Sequence, residues 1–230
     1  MMTIGIVGGL GTETSCSFCF SINRRMKSRH KIQPHLIMDN IPISDDEFHK
    51  IANGEQSESV LELLKDSVKR LNRINSNLIA IPCNTVHVFI DQLRRISKVP
   101  ILSIIEETSK KCIQKSFRKV AVLGSTTTIK TELYPKELQK HSVEVVKINE
   151  REQKTVTDII IRIINSESSD QDKNNLLKVI KSLKERGAEA IILGCTDLFL
   201  LIKPEDSVLP VIDSTKVLEE AVISKLNFDC

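Results

Sequence analysis

Along the chain, short runs dominated by Ile, Val and Leu alternate with longer stretches in which apolar residues recur every three or four positions. The first kind reads as buried strands of parallel sheet, the second as helices docked by one face. This pattern predicts strands at Thr3–Gly8, His35–Asp39, Leu78–Pro82, Ile101–Ser103, Lys119–Gly124, Val143–Lys147, Ala190–Gly194 and Val211–Asp213, with helices between most of them. In the helix predicted over Ser57–Arg73, Val60, Leu61, Leu64, Val68 and Leu71 share one side, and Lys65, Asp66, Lys69 and Arg70 the other. The fold class is α/β.

The pattern also repeats. "TIGIVGGLGTETS" at Thr3–Ser15 is echoed by "KVAVLGSTTTIKT" at Lys119–Thr131, and "NLIAIPCNTVHVFI" at Asn77–Ile90 by "EAIILGCTDLFLLI" at Glu189–Ile202. Gly8 and Gly124 are 116 positions apart and Cys83 and Cys195 are 112 apart, so one unit of about 110 residues occurs twice. Two similar halves follow, 1–102 joined by 213–230, and 103–212. In each half a cysteine stands just past a predicted strand, at the end of the sheet where open parallel sheets bind ligands. Face-to-face packing of the halves would set Cys83 and Cys195 across a cleft.

Composition narrows the function. With 230 residues, 40% hydrophobic and 27% charged, the chain can bury a core and is not disordered. A net charge of +3, spread along the chain, offers no basic face for a phosphate backbone, so no nucleic-acid partner is expected. No apolar run reaches the roughly 18 residues of a membrane helix, and glycines stand where a signal peptide would be apolar. A cytoplasmic protein with no membrane association is expected. There its six cysteines are thiols, each core filler, metal ligand or reactive group.

A thiol at a helix N-terminus can have its pKa lowered from ~8.5 to ~3.5–7.5, which makes it a usable base. Asn84 and Thr85 after Cys83, and Thr196 and Asp197 after Cys195, bring N–H and side-chain donors suited to a carboxylate. One thiolate and one thiol on opposite faces of a carbon could remove a proton from one side and deliver one to the other, inverting it without a cofactor. The loop Gly8-Gly9-Leu10-Gly11 and the hydroxyl-rich turn Ser125, Thr126, Thr127, Thr128 would line the same pocket. The glycine loop also suggests a dinucleotide fold, but the spacing from Gly9 meets Thr14 where a third glycine is required. Cys16 and Cys19 form C-x-x-C inside the first predicted helix with no second ligand pair, which argues against a metal or redox role. Cys112 and Cys230 read as incidental. His87 either orients the site or is a hydrogen-bonded structural histidine. The cluster Arg24, Arg25, Lys27, Arg29 and Lys31 suits the negative end of a helix.

These segments, "GIVGGLGTETS", "PCNTVH" around Cys83, "GCTD" around Cys195 and "VIDST" at Val211–Thr215, resemble the aspartate/glutamate racemase superfamily, in particular its aspartate racemase branch, over nearly the whole chain. The resemblance implies a pseudo-symmetric two-domain α/β fold, catalytic Cys83 and Cys195, an amino-acid substrate, no cofactor or metal, and a homodimer. Leu10, Thr12 and Ser15 replace the family's usual Met, Pro and Thr, and Thr127 replaces a Gly. Aspartate-specific members carry an Arg after the second strand and a Lys in a helix of the second half. The matching stretches here are "PISDDEF" with Asp46 and "IIIRIINS" with Asn165. Asp46 would then face the pocket and repel a second carboxylate, with Arg162 one turn away as the substitute cation. The expected activity is a two-cysteine racemase of broad or non-aspartate specificity. The alternatives are a hydantoin racemase or maleate isomerase on the same scaffold, and a silent ligand-binding homologue.

Overall fold

The computed structural model describes residues 2–55 and 57–226; Cys230 lies outside them. Up to residue 114 the chain runs β1 (Thr3–Gly8), α1 (Thr12–His30), β2 (His35–Asn40), α2 (Asp45–Asn53), α3 (Glu58–Arg73), β3 (Leu78–Ala80), a 3₁₀ segment Thr85–Phe89, α4 (Ile90–Ile96), β4 (Ile101–Leu102) and α5 (Ile104–Gln114). From residue 119 it runs β5 (Lys119–Gly124), α6 (Thr126–Lys130), α7 (Leu133–Gln139), β6 (Glu144–Val146), α8 (Glu150–Ile164), α9 (Asp170–Glu185), β7 (Ala190–Gly194), 3₁₀ segments Leu198–Leu200 and Pro204–Asp206, β8 (Val211–Asp213) and α10 (Ser214–Lys225).

The strands form two four-stranded sheets in the orders β2-β1-β3-β4 and β6-β5-β7-β8, with every pairing parallel. The two orders are the same, as the sequence repeat requires. Every predicted strand position is occupied. β3 ends two residues early because Pro82 has no N–H to give a ladder, and the Cys83 N–H turns back to the Ile81 carbonyl at 2.8 Å. Gly9 has φ 92°, and a Cβ there would collide with the Ile41 carbonyl, so only glycine lets β1 turn here against the segment after β2.

Strand alternation assigns the cores. Ile4 and Ile6 of β1, Val120 and Val122 of β5, and Ala190 and Ile192 of β7 point into one shared cluster, with Phe18, Ile22, Tyr134, Leu218 and Val222. Val7 and Ile79 face a separate core under α3, and Ala121, Ile191 and Leu193 face another under α8 and α9. α5 and α10 pack on each other, and α10 also touches α1, β4, β7 and β8. The two sheets are thereby joined by one continuous apolar layer, with their carboxyl ends at a common cleft. Among the described residues, no helix is long and apolar enough to cross a membrane.

Candidate active site

Cys83 is 5% exposed in the turn between β3 and the 3₁₀ segment Thr85–Phe89. Its neighbours tie this turn to the second half. Asn84 Oδ1 accepts from the Tyr134 hydroxyl at 2.7 Å, and its Nδ2 donates to Ser214 Oγ at 3.0 Å. Ser214 in turn donates to the Leu193 carbonyl at 2.6 Å. Thr85 Oγ1 lies 2.9 Å from Ser125 Oγ, which lies 3.1 Å from Thr128 Oγ1 and caps α6.

His87 proves to be a brace. The Ile104 N–H donates to its Nε2 at 3.2 Å, so Nδ1 carries the proton and donates to the Cys83 carbonyl at 2.7 Å. Burial, and then the charge of Arg94, lower its pKa from 6.5 to about 4. Because the folded value lies below the unfolded one, the stabilisation is complete above about pH 6.5 and is lost as pH falls toward 4. The shift corresponds to at most ~3 kcal/mol. A His87→Asn variant should therefore cost clearly more stability at pH 7 than at pH 4.5 by urea denaturation; an equal cost at both would show that His87 is not held neutral.

Cys195 is 7% exposed in the equivalent turn after β7. Its thiol donates to Asp197 Oδ2 at 3.7 Å, and the Thr14 hydroxyl of α1 donates to Asp197 Oδ1. Asp197 is 5% exposed, and burial raises its pKa. Gly11, with φ 112°, allows the loop after β1 to approach: a Cβ there would stand 3.1 Å from Oδ1.

The expectation of thiols acidified by helix N-termini does not hold. Burial pushes the Cys83 thiol up to about 11, outweighing the N–H groups of Thr85 and Val86. Burial first, then the Asp197 charge, raises Cys195 well above the usual thiol range. The cause is burial: both sulfurs are almost inaccessible, and the N–H groups that meet them offset only part of the desolvation cost. Cys83 is among the groups that raise Cys195, and Asp197 among those that raise Cys83, so both thiols belong to one electrostatic site.

Beside Asp197 a cavity of about 330 Å³ opens, lined among others by Gly9, Gly11, Glu13, Asp45, Phe48, Ile163 and Ser166. Its acidic lining residues are Glu13, Asp45 and Asp197, and among the described residues no Lys or Arg lines it. The sequence-based placement of the pocket charge was one residue off. Asp46 is outside, its side chain 77% exposed and paired with Lys50 at 2.6 Å, while Asp45 faces the cavity. Asn165 is the exposed residue closing α8. Arg162 is no substitute cation, because it forms a bidentate pair with Asp172 (2.6 and 3.1 Å to one carboxylate oxygen).

The other candidates divide. Ser125 and Thr128 sit with Thr85 beside Cys83. Thr196 is buried beside Cys195. Leu10 is 2% exposed in the core of the first half. Thr126 bonds Thr157 at 2.9 Å and lines a different cavity, of about 560 Å³, with Lys130 and Gln153. Thr127 reaches the Ile51 carbonyl of α2, so the Gly it replaces is here a contact between the halves. Cys16 is exposed and Cys19 half-buried on α1, and Cys112 is in the shared core. No group of three or more His, Cys, Asp or Glu placed to hold a metal occurs among the described residues. Arg25 of the basic cluster is paired with Glu219 and Glu220 of α10. Thr14, Asp45, Tyr134 and Ser214 were not anticipated as parts of the site.

A family model for Asp/Glu/hydantoin racemases matches residues 7–222. The broad specificity amino-acid racemase RacX of Bacillus subtilis is 27% identical over 226 residues, covering 96% of each chain. The glutamate racemase of Staphylococcus carnosus is 25% identical over 65% of this chain and 56% of its own. Among solved structures, an aspartate racemase homologue from Pyrococcus horikoshii superposes with a TM-score of 0.78 at 29% identity, covering 98% of this chain and 99% of its own. The aspartate racemase of Picrophilus torridus, at 22% identity, shares the fold with a TM-score of 0.83, over 98% of this chain and 94% of its own. With a matching family model over almost its full length and two thiols at equivalent strand ends, this chain belongs to the Asp/Glu/hydantoin racemase family and is an isomerase.

Proposed function

We propose that the chain is a cofactor-independent amino-acid racemase in which Cys83 and Cys195 act as paired base and acid, with a pocket not restricted to acidic side chains. The observation that carries this reading is that two buried thiols from equivalent turns of the two sheets act on each other, and that Asp197, which meets Cys195, also lines a cavity whose charged residues are acidic. The broad specificity of the Bacillus subtilis relative supports it.

Before substrate binds both thiols are protonated, because among the described residues that act on them no cation offsets their burial. An incoming α-ammonium changes that balance: a positive charge beside the pair favours one thiolate, its proton leaving to water. The thiolate then removes the Cα proton while the other thiol protonates the opposite face. The substrate carboxylate takes the Thr196 hydroxyl, the spare Asn84 N–H and the Thr85 region as donors. Those contacts strengthen as negative charge develops on the enediolate.

The test is incubation of each of the proteinogenic amino acids in heavy water, followed by proton NMR for loss of the Cα signal and by chiral chromatography for the antipode. Exchange with formation of the antipode is expected, unaffected by EDTA or hydroxylamine. Ligand binding with no exchange would identify a silent homologue, and isomerisation of an alkene such as maleate without Cα exchange would move the chain to another reaction.

A further inference from the structure

We infer that Asp197, held in place by the Thr14 hydroxyl, fixes Cys195 as the thiol that keeps its proton when substrate binds and leaves Cys83 as the one that gives its proton up and becomes the base. This inference rests on the two-thiol reading above and adds to it which sulfur starts with which role. The two cysteines occupy equivalent positions in the repeat, but Cys195 alone meets a carboxylate. The Cys195 thiol meets an acceptor, Asp197 Oδ2 at 3.7 Å, and the other oxygen of that carboxylate is occupied by the Thr14 hydroxyl. Among the described residues no Lys or Arg forms an ion pair with Asp197, so its buried carboxylate depends on such donor hydrogens. A thiolate at Cys195 would remove one of them and set two anions against each other. The Cys195 sulfur takes one donor, the Asp197 N–H, beside that acceptor, whereas the Cys83 sulfur meets donors alone, the N–H groups of Thr85 and Val86 and the Thr85 hydroxyl. Such a setting accepts a thiolate.

The charged and titratable groups facing this pair are few. Glu13 of α1 adds negative charge to Asp197, Cys83 faces Cys195 across the site, and Asp197 acts on both sulfurs. Its direct contact is with Cys195 alone. Thr14 is fully buried at the start of α1, so the loop after β1 holds the carboxylate of the opposite half in position. Asp197 and Thr14 are positioning residues. They act through the sulfur and not on the substrate.

The experiment reads the two thiols separately, by the rate of iodoacetamide alkylation of the Cys83 and Cys195 peptides at pH 9, followed by mass spectrometry on the folded protein. Removing the carboxylate charge with Asp197→Asn should raise the Cys195 rate at least tenfold and the Cys83 rate by much less. The high-pH limb of kcat/KM should move to lower pH, since that limb reports loss of the Cys195 proton. Thr14→Val should move the Cys195 rate in the same direction by a smaller factor, and Thr14→Ser, which keeps the hydroxyl, should retain the wild-type rate. An unchanged Cys195 rate in folded Asp197→Asn, or an equal rise at Cys83, overturns the assignment. If Asp197→Asn loses its circular dichroism signal, the Val and Ser variants of Thr14 decide by the same readout, and equal Cys195 rates in the two overturn it. Alkylation does not depend on turnover. Failure of the racemase reading would therefore appear as no Cα exchange with the thiol asymmetry intact.

Discussion

Cys83→Ser and Cys195→Ser should each abolish racemisation, with kcat/KM falling by at least ~10³-fold in both directions. A positioned acid or base is worth roughly 10²–10⁴-fold, and inversion needs one on each face of the carbon, so neither thiol can cover for the other. Serine keeps the shape of the site but replaces a thiol by a far weaker acid, in a setting where burial already opposes ionisation of the sulfur. The two variants should not be equivalent in heavy water. With Cys195 replaced, Cys83 can still remove and return the Cα proton of one enantiomer, giving exchange with retention; with Cys83 replaced, any residual exchange should be seen with the other enantiomer. Chiral chromatography gives the inversion rate and proton NMR the exchange rate on the same sample. Near wild-type racemisation by either single variant would remove the two-thiol mechanism altogether.

Much of this site was legible because it is periodic or repeated. β1, β5 and β7 announce themselves as apolar runs, and the recurrence of "PCNTVH" and "GCTD" at the same place in each half marks both cysteines without any knowledge of the fold. What the sequence concealed was directional or long-range. Ser44 caps α2, so Asp45 is its first residue; Asp45 and Phe48, three apart, share the face turned to the cavity, whereas Asp46 and Lys50, four apart, pair on the outer face. A one-residue error in aligning the segment thus moves a charge from pocket to solvent. The Thr14–Asp197 contact spans 183 positions and the Asn84–Ser214 contact 130, and neither leaves a local pattern. The acidity of the thiols was misjudged for a third reason. A cysteine after a strand suggests N–H groups that acidify it, and only the structure shows that both sulfurs are buried deeply enough to outweigh them.

Aspartate should be no better a substrate than neutral or basic amino acids, because the cavity beside Asp197 carries Glu13 and Asp45 and no cation. Both residues are exposed at its mouth, where two like charges about 4 Å apart cost nearer ~1 kcal/mol, the value in water, than the ~4 kcal/mol of a desolvated pair. Relief of that repulsion should therefore be measurable but moderate. Asp45→Asn combined with Glu13→Gln should raise kcat/KM for aspartate, relative to a neutral amino acid such as alanine, by about five- to tenfold, while turnover of lysine or arginine falls. The contrasting variant is Asp46→Arg with Asn165→Lys. Both of those side chains are at the surface, so it should leave the ratio unchanged. Both substrates are compared on the same variant, so any effect of Glu13 on Asp197 and the thiols cancels in the ratio, and a change in it reports the distal end of the substrate. A wild-type enzyme strongly selective for aspartate, losing that preference in Arg162→Ala, would show that the guanidinium leaves Asp172 to hold a second carboxylate, and that the acidic mouth does not select the side chain.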